Sequence, residues 1–251
     1  MLVDTHCHLY KEYYDSLDNV FLESQENEVS LFIVSGCDSK SNQEVLELAN
    51  KYLNIYCSIG IHPEYTDSYT EEDLKFLESC LCQSKVVAIG EIGLDYHYSK
   101  ENKELQKELF EKQLMLASKY SLPVVIHSRD ATEDTLTILK KYPEVKGVIH
   151  SFSGSLEVAQ MYIKMGYKLG INGVVTFKNS HLKELLPTIV EYIVLETDSP
   201  YLTPHPFRGT KNLPKNVKII ADFICDYLQI SMDKLVRITN ENVEAIFDIS
   251  I

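Results

Sequence analysis

Eight short β-rich runs recur along the chain, and stretches with helical spacing separate several of them. The runs are Leu2–Val3, Leu31–Val34, Ile55–Ile61, Val86–Ile89, Pro123–Ile126, Val145–Ile149, Lys168–Ile171 and Tyr192–Leu195. In the clearest helical stretch, Glu101–Tyr120, Leu105, Leu109, Leu114 and Ala117 approximate one apolar face and Glu108 sits four residues before Lys112. Ser41–Leu53, Glu71–Cys82, Leu156–Met165 and His181–Thr188 follow the second, third, sixth and seventh runs in the same way. Strands that alternate with helices pair in parallel. Eight such units in 251 residues predict one α/β domain over 1–251, a (β/α)8 TIM barrel, whose usual size is ~250 residues. An open doubly wound sheet is the alternative. That fold usually carries a glycine-rich phosphate turn after its first strand, whereas this first strand ends in His6-Cys7-His8. Residues 213–250 supply extra helix, with Ile219, Ile220, Phe223 and Leu228 as the expected buried side.

Composition narrows the chemistry. Against 24 Lys plus Arg stand 37 Asp plus Glu, a net charge of −13, which excludes a strongly basic protein that coats nucleic acid. No apolar stretch approaches the roughly 20 residues of a membrane span, and the N-terminus has no basic flank, so a cytoplasmic protein without membrane contact is expected. Nothing marks an obligate protein partner. The six cysteines are scattered without a CxxC pair and read as reduced core thiols. Metal chemistry must therefore come from histidine and carboxylate.

Five of the eight histidines, His6, His8, His62, His127 and His150, stand at or just past the end of a predicted strand. A barrel gathers its chemistry at that rim, where Glu91 follows the fourth strand and Asp198 the eighth. His6 and His8 are two apart on a strand, so their rings share a face while Cys7 takes the other. Alone, such a pair is more often ordinary packing. Glu91, His127 and His150, however, each end a very apolar run, where an unpaired polar group is costly. Four imidazoles and two carboxylates at one rim suit a pair of divalent cations, with zinc, manganese or magnesium all compatible. Two such cations outweigh Glu91 and Asp198 and leave a positive surplus that favours a phosphate ester. Arg129 and Arg208 fall in rim loops and are candidates to bind phosphate oxygens, the alternative being surface ion pairs. Glu196 lies one layer below Asp198. We expect it to accept a hydrogen bond from a ligand histidine, His6 or His8, unless the strand twists it toward the outer helices and a lysine.

These residues sit in seven ordered motifs: Asp4-Thr-His-Cys-His-Leu, Gly60-Ile-His-Pro, Gly90-Glu-Ile-Gly-Leu-Asp-Tyr, Val125-Ile-His-Ser-Arg, His150-Ser-Phe-Ser-Gly, Thr176-Phe-Lys and Glu196-Thr-Asp-Ser-Pro-Tyr-Leu. Over nearly its whole length the chain resembles the TatD family of metal-dependent DNases, within the amidohydrolase-like metallo-barrels. The resemblance implies His6, His8 and Asp198 on one metal, His127 and His150 on a second, and Glu91 bridging them. It also implies that His62 contacts substrate or leaving group. One departure is visible: where the family reads Arg-Gly, two residues, Asn-Glu-Pro, this chain has Arg208-Gly-Thr-Lys-Asn212-Leu213-Pro.

The expected reaction is phosphodiester hydrolysis by a metal-activated water with Asp198 as general base. With so few arginines and an acidic surface, DNA is expected to engage as a single strand or by an end, with exonuclease action and shallow salt dependence. Tyr96, Tyr98 and Tyr201 lie near the rim, where they either stack on bases or simply cover the barrel's edge. Hydrolysis of a small amide, lactone or phosphoester is the competing reading, and a catalytically dead binding barrel is the third.

Overall fold

Each β-rich run becomes a strand hydrogen-bonded in parallel to its sequence neighbour, in the unbroken order first to eighth. The computed structural model describes residues 1–97 and 101–251. Its first half runs β1 (Leu2–Cys7), α1 (Leu17–Glu26), β2 (Val29–Ser35), α2 (Ser39–Lys51), β3 (Ile55–Ile59), α3 (Glu71–Cys80), β4 (Val86–Asp95) and α4 (Lys103–Tyr120). The second half continues β5 (Val124–Arg129), α5 (Thr132–Leu139), β6 (Gly147–Ile149), α6 (Leu156–Lys164), β7 (Lys168–Ile171), α7 (Leu182–Ile189), β8 (Ile193–Leu195), α8 (Val217–Leu228) and α9 (Met232–Phe247). Between β8 and β1 the barrel is joined by a bridge from Cys7 to Ser199, by Asp198 N–H donating to His6 O at 2.9 Å, and by buried Asp4. The Asp4 carboxylate accepts from Thr197 N–H and Oγ1–H at 2.9 and 2.5 Å.

Two apolar layers hold this arrangement. Phe32, Val34, Ile59, Phe110, Leu114 and Tyr162 belong to the layer between strands and helices. Val3, Ile33, Val87, Val125, Val148 and Val194 come from six strands yet form one cluster, which only the barrel interior permits, and Val243, Phe247 and Ile249 plug it. Burial of these side chains is the main stabilising term. Asp38 and Thr70 start α2 and α3 with reciprocal capping boxes, so their first-turn amides are satisfied within the sequence itself.

Several boundaries move for physical reasons. β4 continues to Asp95, so Glu91 lies within the strand rather than at its end. β1 likewise takes in His6. Helix α1 was not evident because it buries only Val20 and Ser24, and α5 is a short eight-residue helix. On α4 the buried stripe is Gln106, Leu109, Phe110, Gln113, Leu114 and Ala117, leaving Leu105 exposed. On α8 it is Val217, Ile220, Ala221, Ile224 and Cys225, which keeps the expected Ile220 but not Ile219, Phe223 or Leu228. All six cysteines are free, but Cys82 is exposed and Cys37 is only partly buried. No described helix is long and apolar enough to cross a membrane.

Candidate metal centre

The C-terminal rim encloses a cavity of about 740 Å³ with His8, His62, Glu91, His127, His150 and Asp198 on its walls. Its organising group is Glu91, a 4% exposed carboxylate whose two oxygens face different histidines. Oε2 lies 3.3 Å from His6 Nε2 and 3.9 Å from His8 Nε2. Oε1 lies 2.7 Å from His127 Nδ1 and 3.8 Å from His150 Nε2. Asp198 Oδ1 closes the front, 3.4 Å from His8 Nε2 and 3.7 Å from both His6 Nε2 and His150 Nε2. Donor atoms of His6, His8 and Asp198 all lie within 4.8 Å of one another, as do those of His6, Glu91 and His150.

Outer contacts fix which ring nitrogen carries a lone pair. A carbonyl or carboxylate can only accept, so the nitrogen facing one keeps the proton, and the other is the one left bare once the ring is neutral. His8 Nδ1 faces Ser35 O at 3.1 Å, which turns a bare Nε2 inward. His127 faces a carboxylate on each side, Asp95 Oδ2 from Nε2 at 3.0 Å and Glu91 Oε1 from Nδ1 at 2.7 Å, so the metal-free ring holds both protons and the inward Nδ1 is the one it would give up to ligate. His150 Nδ1 sits 3.0 Å from Glu196 Oε1. The approach there is off-axis, and the carboxylate's well-aligned bond is accepted from Ser151 N–H at 2.6 Å. Glu196 thus faces inward as expected, but its histidine is His150, not His6 or His8. The reason is lateral: Glu196 leans toward β6 and β7 over Gly170, where an added Cβ would lie 2.3 Å from Oε2.

Electrostatics follow from this crowding. Burial alone would raise Glu91, but the His150 charge and the hydrogen bond from His127 hold it well below the usual carboxylate range. Burial also disfavours a charged His127, yet hydrogen bonds to Asp95 and Glu91 push it up to about 9. For His150, burial is outweighed by Glu196, Glu91 and Asp198, which push it to about 10. Asp95 and Glu196 bring the adjacent carboxylates to four, enough to cancel two divalent cations. The positive surplus expected from Glu91 and Asp198 alone is therefore absent.

The remaining predicted residues separate. Arg129 lines the cavity. Arg208 does not, because its guanidinium lies over the Phe177 ring at 4.0 Å. Tyr201 lines the mouth with Tyr13, their hydroxyls 2.9 Å apart. Tyr96 is buried and donates to Asp134 at 2.8 Å, so it covers the barrel's edge, and Tyr98 lies outside the described residues. Leu213 packs against the core, while neighbouring Asn212 ties the loop down by donating to Thr197 O and Tyr201 O. Sequence reading passed over Asp95 as a site residue although its motif was visible. It also missed Gln106 and Gln113, which clamp the backbones of Asp95 and Ile61 through paired bonds of 2.8 and 2.9 Å each. Two polar residues on an apolar helix face were their only signal. Since Asp95 orients His127, Asp95→Ala should weaken divalent-metal affinity by roughly 10–100-fold with little change in Tm, as measured by competition with a chromogenic chelator. Unchanged affinity would assign that orientation to packing.

The sequence matches the family model described as TatD related DNase over residues 3–248. The chain belongs to the TatD family. It is 43% identical to the uncharacterized metal-dependent hydrolase YabD of Bacillus subtilis, with 100% of both chains covered. Against the uncharacterized metal-dependent hydrolase YcfH of Escherichia coli it is 32% identical, covering 99% of this chain and 96% of that one. A crystal structure of YjjV, a TatD homolog from Escherichia coli, matches with a TM-score of 0.94 at 29% identity, covering 99% of this chain and 98% of that one. Family and barrel are therefore as the seven motifs implied.

Proposed function

We propose that this TatD protein is a divalent-metal-dependent hydrolase of phosphodiester bonds that acts on DNA from a strand end. The observation that carries this reading is Glu91, whose two oxygens each face their own histidines. The donor set fits the cations: imidazole nitrogens that outer hydrogen bonds leave as the ligating atoms once the rings are neutral, plus two carboxylates that their neighbours hold ionised. His6, His8 and Asp198 would hold one cation, His127 and His150 the other, and Glu91 both. When bound, two such cations supply Lewis acidity and lower a water's pKa from 15.7 toward about 7.

The protein's own groups do the rest. Asp198 Oδ1 stands at the open side of the cluster, takes the proton of the attacking water and returns it to the leaving oxygen. Arg129 on the cavity wall binds phosphate oxygens, a role that Arg208 on Phe177 does not share. Glu12, Asp38, Glu44 and Glu64 line the outer mouth beside Lys40, so the described residues form no long basic groove for a polyanion there and only a few nucleotides engage. The same acidic mouth favours the alternative substrate, a small phosphoester, amide or lactone.

Single-stranded oligonucleotides blocked at either the 3′ or the 5′ end, assayed beside a panel of small esters, separate the two. Cleavage should proceed from one unblocked end, stop with chelator, return with zinc, manganese or magnesium, and weaken only shallowly with salt. Hydrolysis of small esters with intact oligonucleotides would replace the nuclease reading by the alternative.

A further inference from the structure

Three tyrosines run in series from the barrel wall to the lip of the cavity. Tyr10 is buried and its hydroxyl donates to Ser35 O at 2.7 Å, which seats it against β2. The Tyr13 ring stacks on Tyr10 with centroids 5.4 Å apart, and its hydroxyl lies 2.9 Å from that of Tyr201. Backbone contacts hold both loops: Lys211 Nζ donates to Tyr13 O, Tyr201 N–H donates to Asp198 O at 2.8 Å, and Asn212 Nδ2 donates to Tyr201 O at 2.6 Å. The loop after β1 and the loop after β8 thus meet in one braced aromatic wall.

As a cover for the barrel this wall accomplishes little. Tyr96, which does cover an edge, is 3% exposed, whereas Tyr201 leaves 51% of its surface open. Two rotatable side chains are nonetheless fixed hydroxyl to hydroxyl, an ordering that costs conformational entropy. Position gives the wall a use. Tyr13 and Tyr201 both line the cavity that holds Glu91 and Asp198, and the Tyr201 ring is 6.1 Å, centroid to centroid, from the ring of His8. A group attached to a phosphodiester at that centre therefore meets an aromatic surface one ring away. Among the described residues no Asn or Gln lines this cavity, so the paired donor and acceptor that commonly read a base edge are absent.

We propose that Tyr201, braced by Tyr13, is a stacking subsite for the unpaired base of the terminal nucleotide, and that it binds the ring face without reading the base's identity. The choice of a nucleobase rests on the phosphodiester function proposed above. Charge agrees with this occupant. The base is the neutral part of a nucleotide, and the mouth carries Glu12, Asp38, Glu44 and Glu64, which would repel a second phosphate placed there. A base in a duplex is paired and stacked, and freeing it costs energy, so the subsite admits a single-stranded or frayed end in preference to a closed helix.

The sequence contains no tryptophan, so Tyr201→Trp places the protein's sole indole on the wall and reports stacking directly. In the zinc-loaded Tyr201→Trp variant, deoxyadenosine monophosphate should quench the emission, and deoxyribose 5-phosphate, which lacks the base, should not. No quench at a concentration where calorimetry shows the nucleotide bound would overturn the proposal. Tyr201→Ala should lose roughly 5–100-fold in kcat/KM on a single-stranded oligonucleotide, chiefly through KM. Tyr201→Phe keeps the ring face and should stay within about threefold of wild type. On an oligonucleotide with an abasic terminal position the alanine deficit should shrink to within about threefold. An equal deficit with and without the base, or a phenylalanine variant as weak as the alanine, would mean that Tyr201 only holds its loop, and the subsite falls. If the wild type leaves every oligonucleotide intact, the nuclease reading fails instead, and quenching by the nucleotide still decides the subsite.

Discussion

Asp198→Asn should lower turnover by roughly 10³-fold or more, within or beyond the range of general acid–base catalysis, with the fold intact. Its backbone lies in the left-handed region at φ 57°, which asparagine and aspartate tolerate better than other side chains. The amide can therefore occupy the same turn, where Asp198 N–H donates to His6 O at 2.9 Å and its carbonyl accepts from Tyr201 N–H at 2.8 Å. Alanine would add backbone strain of about 1–2 kcal/mol and confuse the result. What asparagine removes is an anionic oxygen 3.4 Å from His8 Nε2 and the only proton-accepting function of that side chain. Burial opposes ionisation of Asp198, but the His150 charge and the His8 hydrogen bond keep it below the ordinary carboxylate range, so the wild type has its base ready at neutral pH. Steady-state kinetics at saturating metal, with metal content and Tm measured alongside, make the check. More than a tenth of wild-type turnover at full metal content would move the base elsewhere.

The barrel was legible because strand and helix periods alternate, and because a histidine at a strand's end carries a cost that asks for a partner. That reasoning singled out His6, His8, His127, His150, Glu91 and Asp198, and the structure brings their donor atoms together at the floor of one cavity. Lateral relations were not legible. Nothing in the order of residues tells that Glu196 leans over Gly170 toward His150, because that depends on barrel twist and on a missing Cβ one strand away. Gln106 and Gln113 look like breaks in an apolar stripe until the peptides they clamp are seen. Arg208 read as a rim cation, and only the placement of Phe177 beneath it gives its guanidinium another partner. Charge was misjudged for the same reason: Asp95 and Glu196 contribute to the centre through histidines, which a count of direct ligands omits.

That extra charge predicts how metal binding responds to pH. In the metal-free protein His127, at about 9, and His150, at about 10, are imidazolium at neutral pH. His6 is not: burial, then the His150 charge, lowers it below 6.5. The cation that His127 and His150 would hold needs their Nδ1 and Nε2 lone pairs, so its binding must expel about two protons; His8, also raised well above 6.5, adds to the release when the other cation is loaded. Affinity should then rise by up to ~100-fold per pH unit around neutrality and level off once both rings have lost their protons. Calorimetric titrations in buffers of different protonation enthalpy count the protons directly. Fewer than one proton released, with affinity flat between about pH 6 and pH 8, would mean the rings are already neutral. The sign for stability runs the other way. Both pKa values are raised above the unfolded 6.5, so their contribution to the metal-free fold is complete below 6.5 and disappears as pH climbs through about 9 and about 10. Glu91 and Asp198, depressed from 4.5 and 3.8, contribute above those values and lose their contribution as acid protonates them. Heating curves with chelator should therefore show Tm falling on the alkaline side. Added metal should remove that fall, because the cations take over the charge that the two imidazolium rings supplied.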